Sequence, residues 1–381
     1  MRDSTCRRGP DSDYSISRRK AISKVAATLV ATAFAAGVGG YYIGASTGSQ
    51  RLQTEARTVT VQKISTVTMT PARQPVTISF TNTQGMRGAS PPSLVIENVK
   101  EIREMLKVDL KYNIVRGAGE ALKELADGRA DVVAVTPALN AFQAFETNPE
   151  LKIKIVYFAD ISDTSGFIVG ANSPFNSLED IKRDIQQGRK IKVGISRPGS
   201  KVHLLSYVLA HVLGTKIGEG IEVVALGEVD AIVAALTRGE IDGFPWSLDT
   251  LWRLEEENKG KVIYYFSEYF GPQWHERTFV TTEEVIAKNP EIVGRFIELW
   301  REAIRYYQLH REKVITLMAS PPPVGIGTTP TIAKRYTGVY QPNYVGAPLM
   351  EAIDNAVKIG SAIGLLKRSP PIDQLYTTRF L

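Results

Sequence analysis

Two stretches of the chain, 111 residues apart, repeat one pattern: Ala121 to Pro137 reads ALKELADGRADVVAVTP, and Ile232 to Leu248 reads IVAALTRGEIDGFPWSL. In each copy an apolar helical run stops at a glycine (Gly128, Gly239). An aspartate follows (Asp131, Asp242) and opens a strand, and a hydroxyl residue (Thr136, Ser247) stands at the strand's far end. The pattern is a helix, a glycine C-cap and a strand. Ligands of open α/β sheets sit beyond the carboxyl ends of strands. Two such ends predict two lobes facing one cleft.

A chain of 381 residues, 43% of them hydrophobic, exceeds the size at which a single core stops growing. The basic pI of about 9.1 could indicate a nucleic-acid binder, but residues 1–51 supply five of the six net positive charges. The nearly neutral remainder is a poor footprint for a duplex, so no nucleic-acid partner is expected. The single cysteine, Cys6, lies in the leader, which leaves the folded body without a disulfide framework, a zinc site or a thiol nucleophile.

Residues 1–24 read as a basic leader. Val25 to Ile43 carries no charge and is apolar enough to enter a bilayer, so 25–44 is a signal peptide or a signal-anchor helix with its positive end inside. Ser17-Arg18-Arg19-Lys20-Ala21-Ile22 looks like a degenerate twin-arginine export motif. About nineteen apolar residues come close to a bilayer span, so cleavage and anchoring stay open. Residues 45–75, rich in Ser and Thr, read as a stalk. Together these place the body outside the cytoplasm, at the cell surface or in the periplasm, with the membrane as a partner of the N-terminal segment.

From Pro75 onward strand and helix signals alternate. Strands are expected at Val76–Phe80, Tyr112–Val115, Val132–Val135 and Ile153–Phe158, with helices over Ser93–Leu106 and from Glu120. A second series begins with Phe167–Val169 and continues through a helix opened by Ser177, strand Ile191–Ile195, a helix from Ser200, strand Ile221–Ala225, helix Ala231–Leu236 and strand Gly243–Trp246. The last third is helical, with Glu291 to about Leu309 and Gly346–Ile363 as helices and Pro321-Pro322-Pro323 as a break between them. The expected wiring is lobe one from 76–165 plus 281–381 and lobe two from 166–280. Chain crossings near Asp160–Ser165 and Gly271–Thr278 would form a hinge. One doubly wound sheet of 300 residues is the alternative.

Catalytic signals are scarce. His203, His211, His275 and His310 lack metal-ligand spacing, and His203 and His211, eight apart on a helix, point about 80° from one another. No Walker A sequence occurs, and Gly117-Ala118-Gly119 lacks the third glycine of the dinucleotide fingerprint. Asp131 and Asp242, at strand starts, read as structural acceptors rather than general bases. No catalytic residue, metal or cofactor is assigned.

Binding groups are easier to find. Gly199, Ser200 and Lys201 open a helix directly after a strand, where backbone N–H groups attract a carboxylate, sulfonate, nitrate or phosphate, although Ser200 could equally serve as a simple N-cap. The loop after the first strand offers Thr83, Gln84 and Gly85. Thr136 and Ser247 end their strands, and Trp246 could wall the site.

The order and spacing of these pieces resemble the periplasmic solute-binding proteins of ABC transporters, in the nitrate, aliphatic-sulfonate, taurine and thiamine-precursor group. The resemblance covers roughly residues 76–320. It rests on Ala121-Leu122 through Gly128 and Asp131, on Ser177-Leu178-Glu179-Asp180-Ile181 followed by Ile191 to Ile195, on Pro198-Gly199-Ser200, on Leu236 through Gly239 and Asp242, and on Asn289-Pro290-Glu291. It implies an α/β, two-lobed periplasmic-binding-protein (type II) fold, each lobe a mainly parallel sheet flanked by helices, with a hinge between lobes. It also implies a small, often anionic ligand in the cleft, and an ABC permease and its ATPase as partners. Family contacts map onto Thr83 to Gly85, Thr136, Gly199, Ser200, and Trp246 or Ser247. The long leader and the segment Ser320–Pro330 depart from common members. Two alternatives share the fold: an enzyme like the thiamine-pyrimidine synthases, which iron-dependent turnover would reveal, and a ligand-sensing receptor domain.

Overall fold

The computed structural model describes residues 73–83 and 90–381, all within the compact unit Thr70–Leu381. The leader, the apolar segment and most of the stalk lie outside the described residues, as do Gln84 and Gly85. Among the described residues no helix is long and apolar enough to cross a membrane.

Two five-stranded sheets carry the fold. The first contains β1 (Val76–Thr83), β2 (Val108–Val115), β3 (Val132–Val135), β4 (Ile153–Phe158) and β10 (Thr278–Thr282), in the order β2-β1-β3-β10-β4. The second contains β5 (Ser165–Gly170), β6 (Ile191–Ile195), β7 (Ile221–Ala225), β8 (Gly243–Ser247) and β9 (Gly260–Tyr265), in the order β7-β6-β8-β5-β9. The orders are the same once β6 to β9 are matched with β1 to β4. In each sheet the fourth strand is lent by the other end of the chain segment: β10 in the first, β5 in the second. Four strands of each sheet run in one direction, and the lent strand between two of them runs antiparallel to both its neighbours. The sheets are therefore mixed. β10 belongs to the first sheet, so the chain returns before Thr278 and not at 280; Ser165 already belongs to the second.

The repeated sequence pattern builds the same joint twice. Gly128 and Gly239 adopt φ of 68° and 72°, a left-handed conformation that costs a residue with a Cβ. The backbone then closes over the helix end, with Arg129 N donating to Glu124 O (2.9 Å) and Glu240 N to Ala235 O (2.9 Å). Asp131 accepts from Ser79 N at 2.7 Å while its own N donates to Ser79 O at 2.8 Å. Asp242 does the same with Lys192, at 2.8 Å in both directions. Each aspartate staples the start of one strand to its neighbour, at Ser79 within β1 and at Lys192 near the start of β6, which is the structural role expected of both.

Helices cover the sheets. α1 (Pro91–Asn98) and α2 (Lys100–Leu106) occupy the span expected as one helix; the break is at Val99, whose ψ of 86° is not helical. α3 (Ala118–Ala126) and α4 (Ala138–Thr147) flank β3. In the second half, α5 (Leu178–Gln186) starts with a capping box between Ser177 and Asp180. It is followed by α6 (Lys201–Val212), α7 (Val229–Thr237), α8 (Leu248–Glu256) and α9 (Ser267–Phe270). The helical last third comprises α10 (Glu283–Lys288), α11 (Pro290–Leu309), α12 (Arg311–Ala319), α13 (Pro330–Val339), α14 (Met350–Ala362) and α15 (Ile372–Leu375). On α11, Phe296 and Trp300 pack on Phe279 of β10, with ring centroids 4.9 and 4.5 Å away. The helix expected from Gly346 starts only at Met350. Gly346 lies so close to Tyr157 that a Cβ there would come within 2.1 Å of the ring.

Removing one staple tests the joint. Asp131→Ala leaves Ser79 N–H without its partner and is expected to lower stability by about 1–3 kcal/mol. Asp242→Ala is expected to act similarly, read in urea unfolding of each variant. A loss below about 0.5 kcal/mol for both would show that the staples do not hold the sheets.

Candidate functional site

The chain passes from the first sheet to the second between Phe158 and Ser165, and returns between Phe270 and Thr278. Both crossings are rich in charge, and their charged side chains are shut off from water. Asp160, Asp163, His275, Glu276 and Arg277 are each buried. Arg277 Nη1 lies 3.4 Å from Asp160 Oδ2, joining the two crossings, and its guanidinium sits 5.7 Å from the Trp300 ring centroid. Tyr340 donates to the other Asp160 oxygen at 2.5 Å.

Lys201, in the first turn of α6, ties the second sheet to both crossings. Its ammonium pairs with Glu276 and lies 3.8 Å from Asp163. Asp163 also accepts from Ser165 N at 3.0 Å and from the Ser165 hydroxyl. Glu276 accepts from Trp274 Nε1 at 3.2 Å, and Trp274 stacks on Phe270 at 3.9 Å. Three carboxylates thus share two cations. Burial, opposed by Lys201, pushes the Glu276 carboxyl up to about 7. Burial likewise raises Asp160 and Asp163. Burial works against the Lys201 ammonium, but Glu276 and Asp163 outweigh it and the net shift is upward.

His275 joins three segments. Its Nε2 accepts from Leu349 N at 2.9 Å, which places the ring proton on Nδ1, 3.4 Å from Asp160 O, and the ring packs at 4.4 Å on Phe158. Burial lowers its pKa to about 4. The segment after α13 completes the brace, with Ile161 N donating to Gln341 O and Gln341 N to Ser162 Oγ, both at 3.0 Å.

The sequence-derived candidates fall around these crossings. Thr136 ends β3, buried, and its carbonyl accepts from Asn140 Nδ2 at 2.7 Å. Two residues on, Ala138 N donates to His275 O at 3.1 Å. Ser247 ends β8 opposite Ser165 and its hydroxyl donates to buried Asp249. Next to it, Leu248 N donates to Thr164 O at 2.9 Å. Trp246 is half-buried, edge-on to Phe244 at 6.3 Å. Thr83 ends β1, buried, with its N–H on Asn82 Oδ1 at 2.9 Å.

At the start of α6 the candidates are engaged with their own chain. Ser200 Oγ donates to Arg197 O at 2.7 Å and accepts from His203 N at 3.3 Å, the N-cap role. Gly199, exposed with φ of 75°, donates its N–H to His203 Nδ1 at 3.1 Å. The crossings' own charged residues escaped the motif reading. Their signal was local: Asp160-Ile161-Ser162-Asp163 and His275-Glu276-Arg277 put charge between apolar runs where the chain changes sheet.

The NMT1/THI5-like family model matches residues 104–313, more than half of the chain. The chain belongs to that family. No curated protein sequence matches it. Among solved structures, the Candida albicans CA3427 product, described as having the generic periplasmic binding protein fold, superposes with a TM-score of 0.64 at 16% identity, over 80% of this chain and 96% of its own. The alkanesulfonate-binding protein SsuA from Xanthomonas axonopodis pv. citri, bound to MOPS, gives 0.62 at 15% identity, over 80% and 100%. The periplasmic nitrate-binding protein NrtA from Synechocystis PCC 6803 gives 0.60 at 12%, over 81% and 87%. The desulfurization enzyme DSZB gives 0.58 at 12%, over 80% and 97%. At such identities the likeness establishes the fold, and this NMT1/THI5-like chain has the two-sheet periplasmic-binding-protein architecture.

A cavity of about 570 Å³ lies elsewhere, beside β4 and the segment before α15. In its lining Lys154 pairs with Glu283 at 3.1 Å and Arg368 with Glu146 at 3.7 Å, and Lys152 stands beside them. Among the described residues no group of three or more His, Cys, Asp or Glu is arranged for a metal ion.

Lys201→Met leaves two buried carboxylates facing each other and is expected to cost about 3–5 kcal/mol of stability. Glu276→Gln, which keeps the shape and removes the surplus charge, is expected to cost about 1 kcal/mol or less. Equal losses for the two in urea unfolding would contradict the charge balance described. The pH dependence is separable through His275. Unfolded, this side chain takes a proton below about 6.5; folded, it does so only near 4. The unfolded state therefore binds more protons in that window, and stability falls with falling pH. The stability advantage over His275→Gln is expected to shrink by up to about 3 kcal/mol from pH 6.5 to pH 4. A pH-independent difference would show that the ring is not held neutral.

Proposed function

We propose that this chain is the extracytoplasmic substrate-binding component of an ABC importer, capturing a small anionic solute such as a sulfonate or nitrate between its two sheets. The observation that carries the reading is the convergence of strand ends from both sheets, Thr136 of β3 and Ser247 of β8, on the same pair of crossings. SsuA and NrtA, on the same fold, are an alkanesulfonate-binding and a nitrate-binding protein.

In this reading 76–158 with 278–381 forms lobe one and 165–270 lobe two, and the crossings are the hinge. Thr83, Gln84, Gly85, Thr136, Gly199, Ser200, Trp246 and Ser247 face the solute. Lys201 supports them from beneath, because Glu276 and Asp163 already neutralise it. An ABC permease and its ATPase receive the solute. The N-terminal leader exports the protein, by the twin-arginine route in the reading of Arg18-Arg19, and tethers it if uncleaved. DSZB shows that the fold also carries an enzyme; binding is favoured here because the polar groups described at the crossings form no nucleophile and base pair.

Titration calorimetry of the protein with nitrate, ethanesulfonate, MOPS, bicarbonate and a pyrimidine tests the reading. Saturable one-to-one binding of a sulfonate or nitrate is expected, weakened roughly tenfold in Thr136→Val or Ser247→Ala, as for one lost hydrogen bond. Heat from none of the anions would contradict it.

A further inference from the structure

Four charged side chains bridge the two sheets at the side of the molecule away from the crossings. Arg116 and Glu120 lie between β2 and the first turn of α3, whereas Arg197 follows β6 and Glu228 stands at the N-cap of α7, after β7. Across the crevice, Arg197 Nη1 pairs with Glu120 Oε1 at 2.9 Å and Arg116 Nε approaches Glu228 Oε1 at 3.9 Å. Within each side the same residues also meet: Arg197 Nη2 lies 3.8 Å from Glu228, and the backbone N–H of Arg116 donates to the Glu120 carboxylate at 3.0 Å. Each side contributes one Arg and one Glu, so the four charges alternate in sign around a ring.

The strand orders give this ring its leverage. The crossings connect β4 and β10 with β5 and β9; β2 is the opposite edge of the first sheet and β7 the opposite edge of the second. At about 4.8 Å per strand, the ring lies about 15–20 Å from the pivot, where rotation about the crossings separates the sheets most. Opening breaks both cross pairs: Arg197 keeps Glu228 beside it and Glu120 keeps the Arg116 backbone N–H, while the exposed Arg116 guanidinium is left to water.

We propose that Arg116, Glu120, Arg197 and Glu228 form an electrostatic latch that holds the lobes closed, with Arg197 and Glu120 as its main positioning pair. The proposal rests on the reading that the lobes open and close about the crossings. Because Arg116, Glu120 and Glu228 are solvent-exposed and Arg197 is only half-buried, the ring's pull is weak and screened by salt. It biases the open–closed equilibrium while leaving the balance within reach of a bound solute.

The test measures the distance between spin labels at Ala126→Cys and Ala231→Cys, both exposed and uncharged positions on opposite sides of the crevice, in full-length protein in detergent carrying Cys6→Ser. At low salt, Arg197→Glu is expected to cut the short-distance population roughly threefold or more, with the same direction in wild type on raising NaCl to about 1 M. The exchange Arg197→Glu with Glu120→Arg restores the short distance, and Arg116→Glu with Glu228→Arg gives a mirror-image check should the first pair fold poorly. An unchanged distance in Arg197→Glu, or no rescue by either exchange, overturns the latch. If anions shorten the distance equally in all variants, the latch fails and the binding reading survives. If charge and salt move the distance while no anion does, the latch stands and the anion reading fails.

Discussion

Burying Asp160, Asp163, Lys201, Glu276 and Arg277 together at the two crossings constrains everything else in this protein. A lone charge without water is costly by several kcal/mol, so each of these groups must keep its partner wherever the sheets move. The pairs link the first crossing to the second and both to the start of α6. The pivot is thereby fixed in register. Three acids against two bases leave the cluster one proton from balance, a small tension that apolar packing alone would not create.

Around that pivot the chain uses one construction twice. The sheets share a strand order, each borrows its fourth strand from beyond a crossing, and each sets an aspartate staple at the same joint. Exchange of β5 and β10 is what forces two crossings in place of one. It also brings the carboxyl ends of β1, β3, β6 and β8 to the crevice, where a fold of this kind places its ligand. The NMT1/THI5-like family membership and the architecture shared with solved periplasmic-binding-protein folds agree with that topology.

Much of the architecture was legible in the sequence because its signals are local. Gly128, Gly239 and their following aspartates marked the repeat, Ser177 and Asp180 marked a helix start, and Asn289-Pro290 preceded the long α11. Gly260–Tyr265 and Thr278–Thr282 were missed as strands, since both are short and stand beside polar or helical runs. The break at Val99 left no mark, because the apolar spacing continues through it. The least legible feature was the role of Lys201. At a helix start it resembles an anion contact, yet its partner Glu276 lies 75 residues away in sequence, and no local pattern announces a contact of that range. Ser200 was readable both as cap and as contact, and the hydrogen bonds to Arg197 and His203 show the cap in place.

The most direct test of the central claim, that the two sheets clasp a small solute above the paired crossings, is a crystal structure of the protein grown with the anion that binds it best. The account predicts density between Thr136 and Ser247, near the start of α6, with the Lys201 pairs intact beneath it. Density confined to the cavity beside β4, or a solute bound with Lys201 pulled away from Glu276, would contradict it.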